Sequence, residues 1–435
     1  MASNYPGSLD SFDTIASDKK TSDAVGGRTH RQMHNDLGDA IEAVQTELGT
    51  DPAGASATVK ARFDVIEANE WVTTARIDGE AVTAAKLAAG LAPRLPEWRA
   101  ALASALTGGK ARVSCVGDSW TFGFAATDKW EDGFPNLLRR KLNQIAPTRQ
   151  GIILPSWNAI NDPGRSFITV GSGWTTSAGY GPAAIGMLSA PAGTSAATSF
   201  GPFWCSGFIV YYMRRSNTGT FDIQIDSETA VNVGGTGADA IVSSTVMASS
   251  TGSHTLNVKN VATNNVIIMG VEPITGAAPG TGVYLSEAGA PGSKVADWDD
   301  TSAPWAAGQQ IWTTHAPDLT IITLGINDQI NDTVPATFKT RYDSLVQTAR
   351  GSGSVLCVVQ AGATADTYAY DWRAYADAIH EVAADQGASV CDLRGLWGGD
   401  IDAQSGVYDS GDNIHPNDAG HAAIADALFN AVGLS

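Results

Sequence analysis

Residues 112–123 read RVSCVGDSWTFG, and this stretch decides the fold class. Its first half is a short apolar run, too brief for a buried helix and without the alternation of a half-exposed strand. It stops at Gly117-Asp118-Ser119, ahead of further apolar residues. A run of that kind is a strand covered on both faces, and four more follow: GVYLSE at 282–287, LTIITLG at 319–325, SVLCVVQ at 354–360 and ASVCDL at 388–393. Helical patterns lie between and after them, such as FPNLLRRKLNQI at 134–145 and DAGHAAIADALFNAV at 418–432. Strands and helices in alternation predict an α/β unit with a parallel sheet covered on both sides. The loops at the C-terminal edge of such a sheet build the ligand crevice.

Working outward, the texture changes between about Ser156 and Ile274. The runs GFIVYYMRR, GTFDIQIDS, SHTLNVKNV and NNVIIMGVEP alternate apolar with polar residues and are separated by Gly, Ser, Thr and Asn turns. They predict an antiparallel β-sandwich of roughly 110 to 120 residues inserted into the α/β unit. Upstream, His30, His34, Leu37, Ile41, Val44 and Leu48 step by four and three, the seam of a coiled coil on one helix. Gly49 and Pro52 stop it; Val59, Phe63 and Ile66 start a second helix, and the Ala-rich EAVTAAKLAAGLA at 80–92 reads as a thin stalk. His30 and His34 are read as seam residues, because two ligands are too few for a metal site.

The 435 residues carry a formal net charge of −18 at pH 7, which repels phosphate backbones and makes nucleic acid an unfavourable partner. Residues 1–20 are polar, so neither a signal peptide nor a transmembrane segment is expected. Cys115, Cys357 and Cys391 sit within strand-like runs and Cys205 follows Phe203-Trp204, the pattern of free thiols in a reduced chain.

Three blocks carry chemistry. Ser119 leaves a strand end just before helix amides, where a hydroxyl can attack a carbonyl and nearby N–H groups can bind the oxyanion. In LGINDQ, residues 324–329, a second strand delivers Asn327 to the same edge, and its amide can donate without a charge to neutralise. In DNIHPNDAGH, residues 412–421, Asp412 stands three residues before His415. A carboxylate so placed can fix one imidazole nitrogen and leave the other to take a proton from Ser119. Pro416 and the capping residue Asn417 then lead into the last helix.

Taken together, G-D-S, G-x-N-D and D-x-x-H in this order resemble the SGNH (GDSL-like) hydrolase superfamily over residues 96–150 and 280–435. The resemblance implies a flavodoxin-like three-layer fold and a serine esterase. Ser119 would be nucleophile and first oxyanion donor, His415 base, Asp412 its orienting partner and Asn327 a further donor. The family's glycine block falls in YLSEAGAPGSKVADW, residues 284–298, with Gly292 favoured and Gly289 the alternative. Ser286 and Glu287 stand where many members carry an asparagine. Trp120, Asp328 and Trp298, in or beside these blocks, are expected to contact substrate. Neither metal nor organic cofactor is called for. Trp157, Trp174, Trp204, Trp298 and Trp305, in or near the insertion, are candidates for stacking on sugar rings.

The first 70 residues, with MASNYPGSLDSFDT at 1–14 and HNDLGDAIEAVQTELGTDPAGASATVKARFD at 34–64, resemble the attachment segment of minor tail proteins from phages of actinobacteria. That resemblance implies a homotrimer in the virion tail, with other tail or baseplate proteins as partners and a host cell-envelope glycan or lipid ester as substrate. The expected layout is a coiled-coil stalk over 1–95, hydrolase over 96–155, inserted β-sandwich over 156–278 and hydrolase again over 279–435. A receptor-binding adhesin or structural tail-tip protein on the same fold is the competing expectation.

Overall fold

The computed structural model describes residues 95–153, 167–176, 188–190, 196–275, 280–299, 316–363, 368–396 and 408–433. The coiled-coil seam, the Ala-rich stalk, Trp157 and Trp305 lie outside the described residues. The described strands, in chain order, are β1 (Lys110–Gly117), β2 (Thr148–Ile153), β3 (Ile168–Thr169), β4 (Thr175–Thr176), β5 (Leu188–Ala190), β6 (Thr198–Arg214), β7 (Thr220–Ile225), β8 (Val231–Gly234), β9 (Ala240–Asn260), β10 (Val266–Ile274), β11 (Gly282–Gly289), β12 (Leu319–Thr323), β13 (Ser354–Val359) and β14 (Ser389–Asp392). The helices are α1 (Pro96–Leu106), α2 (Ser119–Phe122), α3 (Phe134–Leu142), α4 (Val295–Trp298), α5 (Ile326–Ile330), α6 (Pro335–Arg350), α7 (Trp372–Asp385) and α8 (Asp418–Val432).

Six strands run parallel in the spatial order β14-β13-β12-β1-β11-β2. The runs of β1, β11, β12 and β13 are buried on both faces, as their composition requires, while β14 at the sheet edge is only half-buried. Along β13, Val355, Cys357 and Val359 pack with Phe338, Tyr342 and Leu345 of α6 and Tyr375 and Ile379 of α7. The intervening Leu356 and Val358 pack with Trp98 and Leu102 of α1, Leu138 of α3 and Ile424 and Leu428 of α8. This is a three-layer arrangement, and each fully buried Leu- or Phe-sized side chain contributes roughly 1.5–3 kcal/mol. Among the described residues α1 and α8 are tied directly, since the Trp98 indole donates to the Val432 carbonyl at 2.7 Å.

The strands β11-β1-β12-β13-β14 stand in the flavodoxin order 2-1-3-4-5, and β2 adds a further parallel strand beyond β11. The insertion joins at this β2. Its Ile153 pairs with Val271 of β10, and the sheet continues antiparallel through β10, β6, β9, β7 and β8. The insertion extends the same hydrogen-bonded sheet and also folds back over itself: the Tyr212 ring of β6 lies 5.0 Å from the Phe221 ring of β7, although β9 separates the two strands in the sheet. It keeps a core of its own around Phe200, Phe208, Val210, Phe221, Ile223, Leu256 and Ile268. Alternation in strands such as β7 follows from one face meeting that core. A buried ion pair spans the join, with Lys110 of β1 on Glu272 of β10 at 3.0 Å and the Tyr211 hydroxyl donating to the same carboxylate at 2.9 Å. Burial pulls the Lys110 ammonium below its ordinary value, against the attraction of Glu272. The cysteines are free, with Cys115, Cys205 and Cys357 buried and Cys391 half-buried.

Candidate active site

Three central strands end level with one another. Gly117 of β1 is paired with Gly289 of β11 on one side and Thr323 of β12 on the other. The ladder runs one step further, as Ala290 N–H donates to the Gly117 carbonyl and Asp118 N–H to the Thr323 carbonyl. Three loops therefore leave the sheet at one height. A side chain on Gly117 would strike Thr121 Oγ1 and the Thr323 carbonyl, and one on Gly289 would strike the Phe122 backbone nitrogen. Glycine at both positions lets α2 sit directly over the strand ends.

Ser119 opens α2 and is only 4% exposed. Its Oγ lies 2.8 Å from His415 Nε2, and His415 Nδ1 lies 2.6 Å from Asp412 Oδ2. The other carboxylate oxygen, Asp412 Oδ1, accepts the backbone N–H groups of Ile414 at 2.9 Å and His415 at 2.8 Å. Partial burial pushes the Asp412 carboxyl up, but the His415 side chain and these backbone donors together hold it below the ordinary aspartate value. An ionised Asp412 keeps the Nδ1 proton in place and leaves Nε2 facing the hydroxyl. Phe124 leans on the imidazole with ring centroids 4.5 Å apart. The structure thus brings together the three side chains singled out from distant parts of the sequence.

The oxyanion candidates lie around the same edge. Gly292 has φ +79 and open space where a Cβ would stand, whereas Gly289 is explained by the close approach of α2. Asn327, on α5, donates from Nδ2 to the Ser293 carbonyl at 3.1 Å, which ties it to the Gly292-Ser293 turn. A carboxamide has two N–H donors, so one remains after this bond.

The three expected substrate contacts are corrected. Trp120 and Trp298 are fully buried and Asp328 is 1% exposed. Each is occupied beneath the site. The Trp120 indole donates to the Ile414 carbonyl at 2.8 Å, bracing the loop that carries His415. The Trp298 indole donates to Ser293 Oγ at 2.9 Å, and Asp328 Oδ2 accepts Val295 N–H at 3.0 Å, so both steady the turn after β11. Burial raises the Asp328 carboxyl to about 6. Trp174 is also core, with its indole on the Ala196 carbonyl at 3.0 Å, while Trp204 is 68% exposed.

Reading the sequence missed a second buried acid. Asp118 accepts the Trp120 backbone N–H at 2.9 Å, and Gln360 at the end of β13 donates to it at 3.1 and 3.3 Å. Burial lifts the Asp118 carboxyl to about 7. The position of Gln360, one residue beyond the run SVLCVV, was the available signal: a polar side chain leaving a buried strand faces the site edge. Among the described residues no group of three or more His, Cys, Asp or Glu side chains is gathered to hold a metal. Among them, too, no helix is long and apolar enough to cross a membrane.

A serine beside an imidazole that is itself held by a carboxylate, under a cluster of amide donors, defines the chemistry of acyl transfer. Residues 275–423 match the GDSL-like Lipase/Acylhydrolase family. The protein is a serine ester hydrolase, and it carries a GDSL-like (SGNH) acylhydrolase domain. Among solved structures it is similar to one titled "Peptidoglycan O-acetylesterase in action", at 16% identity and TM-score 0.60, covering 77% of this chain and 96% of that one. A family two carbohydrate esterase from Cellvibrio japonicus aligns at 13% identity and TM-score 0.28, over 61% of this chain and 95% of that one. An acetylxylan esterase from Geobacillus stearothermophilus aligns at 16% identity and TM-score 0.30, over 35% and 74%. No curated protein matches the chain.

Proposed function

We propose that this esterase removes O-acetyl or other acyl groups from cell-envelope glycans, through an acyl-enzyme on Ser119. The observation that carries the reading is the continuous chain Ser119 Oγ, His415 Nε2, His415 Nδ1, Asp412 Oδ2, with contacts of 2.8 and 2.6 Å. His415 takes the hydroxyl proton as Ser119 attacks the ester carbonyl. The Ser119 and Gly292 amides and the Asn327 carboxamide hold the oxyanion. His415 then returns the proton to the departing sugar oxygen as its bond to the acyl carbon breaks, and water activated by the same imidazole releases the acid. Every proton transfer in this route is made by the chain's own residues.

The acylhydrolase family match supports ester hydrolysis, and the fold shared at TM-score 0.60 with a peptidoglycan O-acetylesterase supports glycan esters as the substrate. The N-terminal resemblance to phage minor tail proteins supports a place in the virion tail, as a homotrimer held by other tail or baseplate proteins. There the enzyme would meet the host envelope during adsorption. Mass spectrometry of acids released from host envelope by wild type and Ser119→Ala tests the substrate. Acetate or another short acid from wild type alone is expected. Equal release by both proteins would refute the esterase role, and release of long-chain acids would move the substrate from glycan to lipid.

A further inference from the structure

A cleft of about 510 Å3 lies at the join between the parallel sheet and its antiparallel extension. Its volume falls within the span of ligand sites, roughly 300–1,000 Å3. Aromatic rings form one side. Phe167 stands 4.7 Å from Trp130 and 5.9 Å from Phe203 by ring centroids, and Trp204 adds an indole that is 68% exposed. Trp204 is the most exposed large apolar side chain among the described residues, and it lies on the cleft wall.

Polar groups interleave with these rings. Arg139 of α3, Arg149 and Gln150 of β2, and Glu131 line the same space. Two guanidiniums against one carboxylate give this cleft a positive balance in a chain of net charge −18. Arg149 Nε is buried and meets no hydrogen-bond acceptor among the described residues. Flat apolar faces beside planar, directional donors suit a sugar ring, which has an apolar face and a polar rim. A lipid would need a continuous apolar wall, which Arg139, Arg149 and Glu131 interrupt. A guanidinium also matches a carboxylate in a way that a hydroxyl alone does not exploit.

The geometry points to a second glycan-binding site in this cleft, one that takes a carboxylate-bearing polysaccharide with a sugar ring on Trp204 and the acid group on Arg149. It deepens the glycan-esterase reading and rests on it for its biological sense. The covalent path supports this, since the loop from Gly123 to Gly133 puts Phe124 against His415 at one end and Trp130 in the cleft at the other. A polymer held here would keep its acyl groups near Ser119 between turnovers.

The test uses the full chain carrying Ser119→Ala, so that binding is read without hydrolysis. Calorimetry compares tetragalacturonate and peptide-free peptidoglycan glycan strands, both bearing carboxylates, with neutral chitotetraose. At least one acidic chain is expected to bind ten-fold or more tightly than chitotetraose, and adding Trp204→Ala or Arg149→Gln should weaken it at least ten-fold. Binding of neither acidic chain, equal binding of chitotetraose, or no loss in both double variants would overturn the site. Turnover of p-nitrophenyl acetate by the parent chain separates the two readings. An active parent without glycan binding removes only this cleft, and binding by an inactive parent removes only the esterase.

Discussion

β13 and β7 are both six residues long, yet all of β13 is buried while β7 alternates buried with half-buried positions. The first lies between two helical layers; the second covers a core on one side only. A strand enclosed on both faces has almost no freedom of register, because a slip would move every side chain into a differently shaped layer. That rigidity is what levels the ends of β1, β11 and β12 and lets three loops meet at one imidazole. The half-open extension lacks that constraint, and it is there that a large indole, Trp204, is left facing solvent. Chemistry sits on the enclosed half, and the proposed polymer site begins on the open one.

This contrast can be broken in four places. His415→Ala, on the enclosed half, should lose several orders of magnitude in turnover of p-nitrophenyl acetate, since serine and base act as a unit. Asn327→Ala should lose roughly 10²- to 10³-fold in kcat with little change in Tm, the usual cost of one oxyanion donor. Wild-type kinetics in that variant would leave Asn327 as a mere tie to Ser293. Gly289→Ala forces a Cβ into the Phe122 backbone, so thermal unfolding should show a loss of about 1–3 kcal/mol, the range for overpacking. Unchanged stability would mean that α2 can lift off β11, and the level edge would not be rigid.

The smallest effect is a slope. Burial raises the Asp328 carboxyl to about 6 from an ordinary value near 4, so the folded chain holds its proton over a range where the unfolded chain has lost it. Wild type therefore loses this contribution as pH rises from about 4 to about 6. Asp328→Asn has no proton to lose there, so its Tm should gain on wild type across that interval. Parallel Tm curves would show that Asp328 is not protonated in the fold.

The parallel strands were legible because two-sided burial writes itself as unbroken apolar runs. The site was legible because Ser119, Asn327 and the Asp412-His415 pair each stand at the start of a loop or helix that a strand or a cap announces. What was not legible depends on direction. Trp120, Trp298 and Asp328 lie beside the blocks in sequence, but each is buried, with its polar atom on the Ile414 carbonyl, the Ser293 hydroxyl and the Val295 N–H respectively. The pairing of β2 with β10 joins strands far apart in sequence through a single residue pair, Ile153 with Val271, and no local pattern marks it. Alternation correctly signalled antiparallel strands, but it could not say whether they close on themselves or continue a neighbouring sheet.

The central claim is that the Ser119 hydroxyl is made nucleophilic by His415 and Asp412. It is tested most directly by treating wild type and His415→Ala with a fluorophosphonate and locating the adduct by peptide mass spectrometry. The account predicts stoichiometric phosphonylation of Ser119 in wild type and a rate lower by several orders of magnitude without the imidazole. An unlabelled Ser119, an adduct on another residue, or equal labelling of both proteins would contradict it.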